Sequence, residues 1–97
     1  MPAYLIANIT VRDPTGFDEY RARVPAVIAA FGGRYVVRGG AVEVKEGIPD
    51  LNRLIVLEFP DMMAARAFYD SADYAPLLAL RLASTEGSVV LVEGYAA

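Results

Sequence analysis

The 97-residue chain contains no cysteine, no histidine and no tryptophan, and Lys45 is its one lysine. Without cysteine there is no disulfide framework, thiolate nucleophile, iron–sulfur cluster or zinc–thiolate site. Nothing in the chain needs an oxidising compartment. Without histidine there is no imidazole base, no Ser-His-Asp triad and no proximal haem ligand. A metal site would have to be all-oxygen, and the Asp and Glu residues show no EF-hand spacing. Neither a metal nor a cofactor is therefore expected. No apolar run approaches the roughly 18 residues of a membrane helix. The opening stretch, Met1-Pro2-Ala3-Tyr4-Leu5-Ile6-Ala7, lacks a basic lead and reads as a strand, not a signal peptide. A soluble, cytoplasmic protein that keeps away from membranes is the expectation. Nine basic residues against twelve acidic ones give a net charge of −3, with no basic block. That balance argues against nucleic-acid binding.

What is present is apolar. Hydrophobic residues make up 56% of the chain and charged residues 22%, which is too greasy for disorder. The length suits one domain over residues 1–97, burying roughly 60–68% of its unfolded surface. Residues 3–11 (AYLIANITV) are rich in β-formers on both faces. Asp13-Pro14 reads as a helix N-cap followed by an N1 proline. From there Phe17, Tyr20, Val24, Ile28 and Phe31 recur at spacings of 3 and 4, predicting a helix over about 14–31. Pro25 removes one donor inside it, which predicts a kink, and Gly32-Gly33 stops it.

Residues 34–38 (RYVVR) read as a strand, followed by Gly39-Gly40 and a second extended piece at 41–46 (AVEVKE). The two glycines suit a hairpin turn or a bulge within one long strand, and the bulge is preferred. A better turn lies at Gly47-Ile48-Pro49-Asp50. Residues 53–59 (RLIVLEF) form the next strand. Asp61 is placed to cap a helix from 62 to about 71 with Ala64, Ala67 and Phe68 facing in, and Asp73 to cap another from Tyr74 to about Ser84 around Leu77, Leu78, Leu80 and Leu82. Residues 88–93 (SVVLVE) close the chain as a strand. The order β-α-β-β-α-(α)-β is the split plan of an α+β, ferredoxin-like fold: an antiparallel sheet with helices on one face.

That plan has a consequence for association. Leu54-Ile55-Val56-Leu57 and Val89-Val90-Leu91-Val92 are apolar on both faces, whereas a sheet with one wet face alternates. The uncovered face would be an apolar patch on the order of several hundred Å², which soluble monomers rarely tolerate. A two-fold homodimer through the sheet faces is the simplest closed solution.

Several short motifs stand in a particular order: Gly32-Gly33-Arg34-Tyr35, Arg38-Gly39-Gly40, Glu58-Phe59-Pro60, Ala64-Ala65-Arg66-Ala67-Phe68-Tyr69-Asp70-Ser71, Asp73-Tyr74 and Arg81. Over nearly the whole chain this run resembles the DUF1330 family, a domain of unknown function within the dimeric α/β-barrel, ferredoxin-like superfamily. Ala72 stands where the family pattern leads one to expect a proline, which bears on a helix junction more than on chemistry. The resemblance implies the ferredoxin-like fold and dimerisation through the sheets. It implies no established reaction. The wider superfamily includes cofactor-free monooxygenases, isomerases and haem-using enzymes, of which the absence of His speaks against the haem-dependent ones.

Arg38, set beside two glycines, is suited to a carboxylate or phosphate, or equally to a structural ion pair. Glu58 shares a strand phase with Leu54 and Val56, which points it toward the sheet face assigned to the dimer; it could be a general base of raised pKa or the partner of Arg38 or Arg81. Tyr69, Ser71 and Tyr74 flank the junction of the two C-terminal helices, as pocket-mouth hydroxyls or as core-edge residues. Asn8 could bond a ligand or a neighbouring strand. Met62 and Met63 read as fillers of core gaps. Three functional readings stay open. The first is a dimer that binds a small, partly apolar, anionic molecule in a helix–sheet cleft lined by Arg38, Glu58, Tyr69, Tyr74 and Arg81. The second is a non-catalytic dimeric module. The third is a cofactor-independent monooxygenase- or isomerase-like enzyme.

Overall fold

A computed structural model describes residues 1–96. The chain runs β1 (Ala3–Val11), α1 (Pro14–Ala30), β2 (Arg34–Arg38), β3 (Arg53–Phe59), α2 (Met62–Tyr69), α3 (Ala75–Ser84) and β4 (Thr85–Glu93). The four strands form one sheet in the order β2-β3-β1-β4, and every pairing is antiparallel. This is the ferredoxin-like α+β plan expected above.

Strand β1 sits inside the sheet and sets its two faces. Ala3, Leu5, Ala7 and Ile9 are buried, while the residues between them are not. Because side chains alternate along a strand, the odd residues form the inner face that the helices cover. Leu57 and Phe59 of β3 join them, together with Phe17, Val24 and Ile28 of α1, Ala65 and Phe68 of α2, and Leu77 of α3. The Cα envelope measures 36 × 32 × 16 Å. That thickness fits one layer of sheet and one of helix, so no helix covers the outer face.

Helix α1 begins as the Asp13-Pro14 pair predicts, although the Asp13 side chain makes no cap hydrogen bond. It continues through Pro25 to Ala30, and Gly32, at φ 78, takes the left-handed turn that ends it. The Asp61 carboxylate accepts from the Ala64 N–H at 2.7 Å, the cap expected of it. Other details differ from expectation. In α2 the phase set by that cap buries Ala65 and Phe68 and leaves Ala67 exposed. Met63 is 77% exposed and fills no core gap. Asp73 caps nothing in α3. Instead the Ser71 hydroxyl accepts from the Tyr74 N–H at 3.0 Å and donates to the Phe68 carbonyl at 2.8 Å, which holds the break between α2 and α3. Leu82 is exposed, and Arg81 takes the inward position.

The glycine pair is neither a bulge in a long strand nor a hairpin. Strand β2 ends at Arg38, and Gly39, at φ 66, turns the chain out of the sheet. Residues 41–46 are not a strand. Val42 and Val44 are both about half exposed, and the segment does not pair with β2, which remains the sheet edge. The bulge lies earlier: Tyr35 opposes Leu57 and Val37 opposes Val56, leaving Val36 as the extra residue. This shift reverses the phase of the strand end. Arg38 then opposes Ile55 on the inner face, the same face as Tyr35.

Candidate functional site

Between the inner face of the sheet and the helices lies a cavity of about 30 Å³. Most of its wall is aliphatic or aromatic, from Leu5, Ala7, Leu57, Ile28 and Phe68. Four polar-tipped side chains interrupt it: Tyr20, Tyr35, Tyr74 and Arg81. Each arrives for a local reason. Tyr20 lies one turn after Phe17 on the apolar stripe of α1, and the two rings stack at 5.8 Å. Tyr74 stands at the N-cap of α3, where the Ser71 turn delivers it inward at 2% exposure. Arg81 follows Leu77 by four residues and precedes Ser84 by three, so it lies on the buried stripe of α3.

The hydroxyls of Tyr20 and Tyr74 are 2.8 Å apart and share a hydrogen bond. The Arg81 Nε–H donates to the Tyr74 oxygen at 3.4 Å, and Nη2 to the Tyr69 oxygen at 3.4 Å. Both contacts are long for charge-assisted bonds. Arg81 is only 7% exposed. The ion pairs among the described residues join Arg12 to Glu86, Arg34 to Glu58 and Lys45 to Glu43, so none of them neutralises it. Burial acts to lower the Arg81 pKa, but the Tyr74 hydroxyl and the neighbouring tyrosines outweigh it, and the net direction is upward. The guanidinium stays charged.

Burial drives the Tyr20 pKa far above its ordinary value, with proximity to Tyr74 acting in the same direction. The sign for stability follows. The folded state holds this proton more tightly than the unfolded chain, so the benefit is full below about pH 10 and is lost as pH rises beyond it. Urea unfolding at about pH 8 and about pH 11 should show a steep alkaline loss, approaching 1.4 kcal/mol per pH unit for one such group. Tyr20→Phe should flatten that slope while costing about 1 kcal/mol at neutral pH. An unchanged slope would remove Tyr20 from the account.

The residues expected to share the cleft do not all meet. Tyr74 and Arg81 line the cavity, and Tyr69 touches Arg81 from the end of α2. Arg38 lies on the same side of the sheet, its Cζ 4.4 Å above the Tyr35 ring and its Nη2 donating to the Arg21 carbonyl at 3.3 Å. Glu58 lies on the outer face, where it pairs across the strands with Tyr4 and Arg34. Its partner is Arg34, at 3.1 Å, and not Arg38 or Arg81. With the Arg34 side chain 67% exposed, this pair contributes little to stability. Asn8 also belongs to the outer face. Its amide donates to the Asp50 carbonyl at 2.7 Å and accepts from the Asn52 N–H at 3.1 Å, which ties the 40–52 segment to the sheet.

Residues 2–95 match a described family, Domain of unknown function (DUF1330). The chain belongs to the DUF1330 family. No curated protein matches it in sequence. Several solved structures share its fold. The RPA0582 protein of unknown function from Rhodopseudomonas palustris is similar at TM-score 0.75 and 15% identity, over 99% of this DUF1330 chain and 84% of that one. SnoaB from Streptomyces nogalater, a cofactor-independent oxygenase, is similar at TM-score 0.63 and 18% identity, over 99% and 95% of the two chains. A dimeric ferredoxin-like protein of unknown function from Jannaschia sp. CCS1 is similar at TM-score 0.62 and 14% identity, over 99% and 100%. At these identities the likeness concerns the fold.

Two cavity-lining residues of this DUF1330 chain, Tyr20 and Tyr35, were not foreseen at the site, nor was Arg53, whose charge acts on Tyr35. Tyr20 read as one more member of an apolar stripe, although its polar tip there was a signal. Arg53 read as the first residue of a strand. It shares the phase of Ile55, Leu57 and Phe59, and an arginine in the inward phase of a strand is a signal in itself.

Proposed function

We propose that this DUF1330 protein is a cytoplasmic homodimer, joined through the outer faces of its sheets, that binds a small carboxylate at Arg81. The observation that carries the binding reading is the buried guanidinium. A buried charge without a counter-charge is costly, and proteins seldom keep one that has no use. A carboxylate entering the cavity would accept from Arg81 in a charge-assisted pair and from the Tyr74 and Tyr69 hydroxyls. A space of about 30 Å³ holds about two water molecules, which suits a carboxylate head with a short tail such as acetate. The apolar wall favours the tail over a second polar group.

The dimer reading rests on the outer face. Val37, Val56, Ile6 and Val90 stand side by side across all four strands. Val36, Val90 and Val92 are 48%, 53% and 43% exposed in the single chain. A second copy would cover this apolar row, and the structural likeness to a dimeric protein supports that arrangement. No helix among the described residues is long and apolar enough to cross a membrane.

Thermal unfolding in acetate, against chloride at equal ionic strength, tests the binding reading. Acetate should raise the Tm of the natural protein in proportion to the logarithm of its concentration. Arg81→Met, of similar length but without the donors, should abolish that response. A loss of stability in Arg81→Met together with no acetate response in the natural protein would instead mark Arg81 as structural and leave the non-catalytic module as the reading.

A further inference from the structure

A second group of positive charges lies at the sheet edge, away from Arg81. Arg38 ends β2 on the inner face, and Arg53 opens β3 on the same face. Arg21 on α1 meets Arg38 through its carbonyl. All three charges act on the Tyr35 hydroxyl, opposing the burial that raises its pKa. None of the three takes part in the ion pairs among the described residues.

The Arg53 guanidinium is held flat. A Cβ placed on Gly39 would meet its Cζ at 3.1 Å and both Nη atoms at 3.3 Å, so the planar group lies face-on to the glycine. Its Cζ is also 5.3 Å from the centre of the Phe17 ring. Its Nε is buried and has no hydrogen-bond partner. A buried donor left unmade is expensive, which makes Arg53 a group in want of an acceptor. Arg38 is held by one 3.3 Å bond and by its stacking on Tyr35, so most of its five donors are free.

We infer that Arg38, Arg53 and Arg21 form an oxyanion site at the rim of the α1–β2–β3 edge, and that its ligand is a phosphate dianion, free or as the head of a monoester. Two planar forks held beside each other match the paired oxygens of phosphate. Three positive charges without an acid favour a dianion over the monoanionic carboxylate assigned to Arg81. Gly39 is integral to the site, because any side chain there would push the Arg53 plane away. The two sites use different cations, so either can fail while the other stands.

Isothermal titration calorimetry at low ionic strength tests this inference, with inorganic phosphate in one arm and glycerol phosphate in the other. The expected result is saturable binding of one equivalent per chain in at least one arm, weakening as salt is added. The tighter arm identifies the source. Arg38→Gln, an exposed change that leaves the core intact, should weaken binding about tenfold or more. Arg53→Gln and Gly39→Ala should do the same, while Arg81→Met and the distant Arg66→Gln should leave it within about twofold. Absence of saturable binding in both arms would overturn the inference. So would equal losses in Arg38→Gln and Arg66→Gln, which would report net charge and not a site.

Discussion

Phe68→Ala should lower stability by about 3–5 kcal/mol in urea unfolding, the largest loss of any single core truncation in this chain. Phe68 is fully buried on α2, and its ring centre lies 4.4 Å from Tyr74, 5.2 Å from Phe59 and 6.2 Å from Phe31. It therefore joins α1, the sheet and the start of α3 in one aromatic cluster. Removing it leaves a void that these rigid rings cannot collapse to fill. Phe68 also backs Tyr74, so the variant should lose the acetate response along with its stability. Met63→Ala, on the exposed side of the same helix, should cost less than about 0.5 kcal/mol. A Phe68→Ala loss below about 1 kcal/mol would contradict the packing described here.

The second large effect concerns the outer face. Val56→Asp combined with Val90→Asp places carboxylates on both sides of Ile6, in the middle of the apolar row. Covered by another copy, each charge would lack a partner and cost several kcal/mol. The dimer should then dissociate at concentrations about a thousandfold higher than for the natural protein. The inner face is untouched, so far-UV circular dichroism should keep its folded form. Met63→Asp serves as the control for added charge on an exposed surface.

Much of the fold was legible because its determinants are local or periodic. The existence of β1, the stripe of α1 and the Asp61 cap each follow from local composition and spacing. What escaped depended on partners. Residues 41–46 alternate as a strand does, but alternation cannot report that the segment leaves the edge of β2 unpaired. The bulge at Val36 sits between β-branched residues that fit a regular strand equally well. Yet it decides the site, because it moves Arg38 to the inner face and leaves Glu58 to Arg34 on the other side. Of the six residues expected to bind a ligand, Tyr69, Tyr74 and Arg81 come together at the cavity, Arg38 lies on the same side of the sheet against Tyr35, and Glu58 and Asn8 are turned away. The inward phase of Arg53 was visible in the strand, but its lack of a counter-charge required knowledge of every neighbouring acid.

The proposed pairing of this protein with a second copy is tested most directly by light scattering at micromolar concentration. A particle of twice the 10.5 kDa chain mass is the predicted result, falling to the single-chain mass in the Val56→Asp, Val90→Asp variant. A stable 10.5 kDa particle of the natural sequence, holding its native spectrum on dilution, would contradict it.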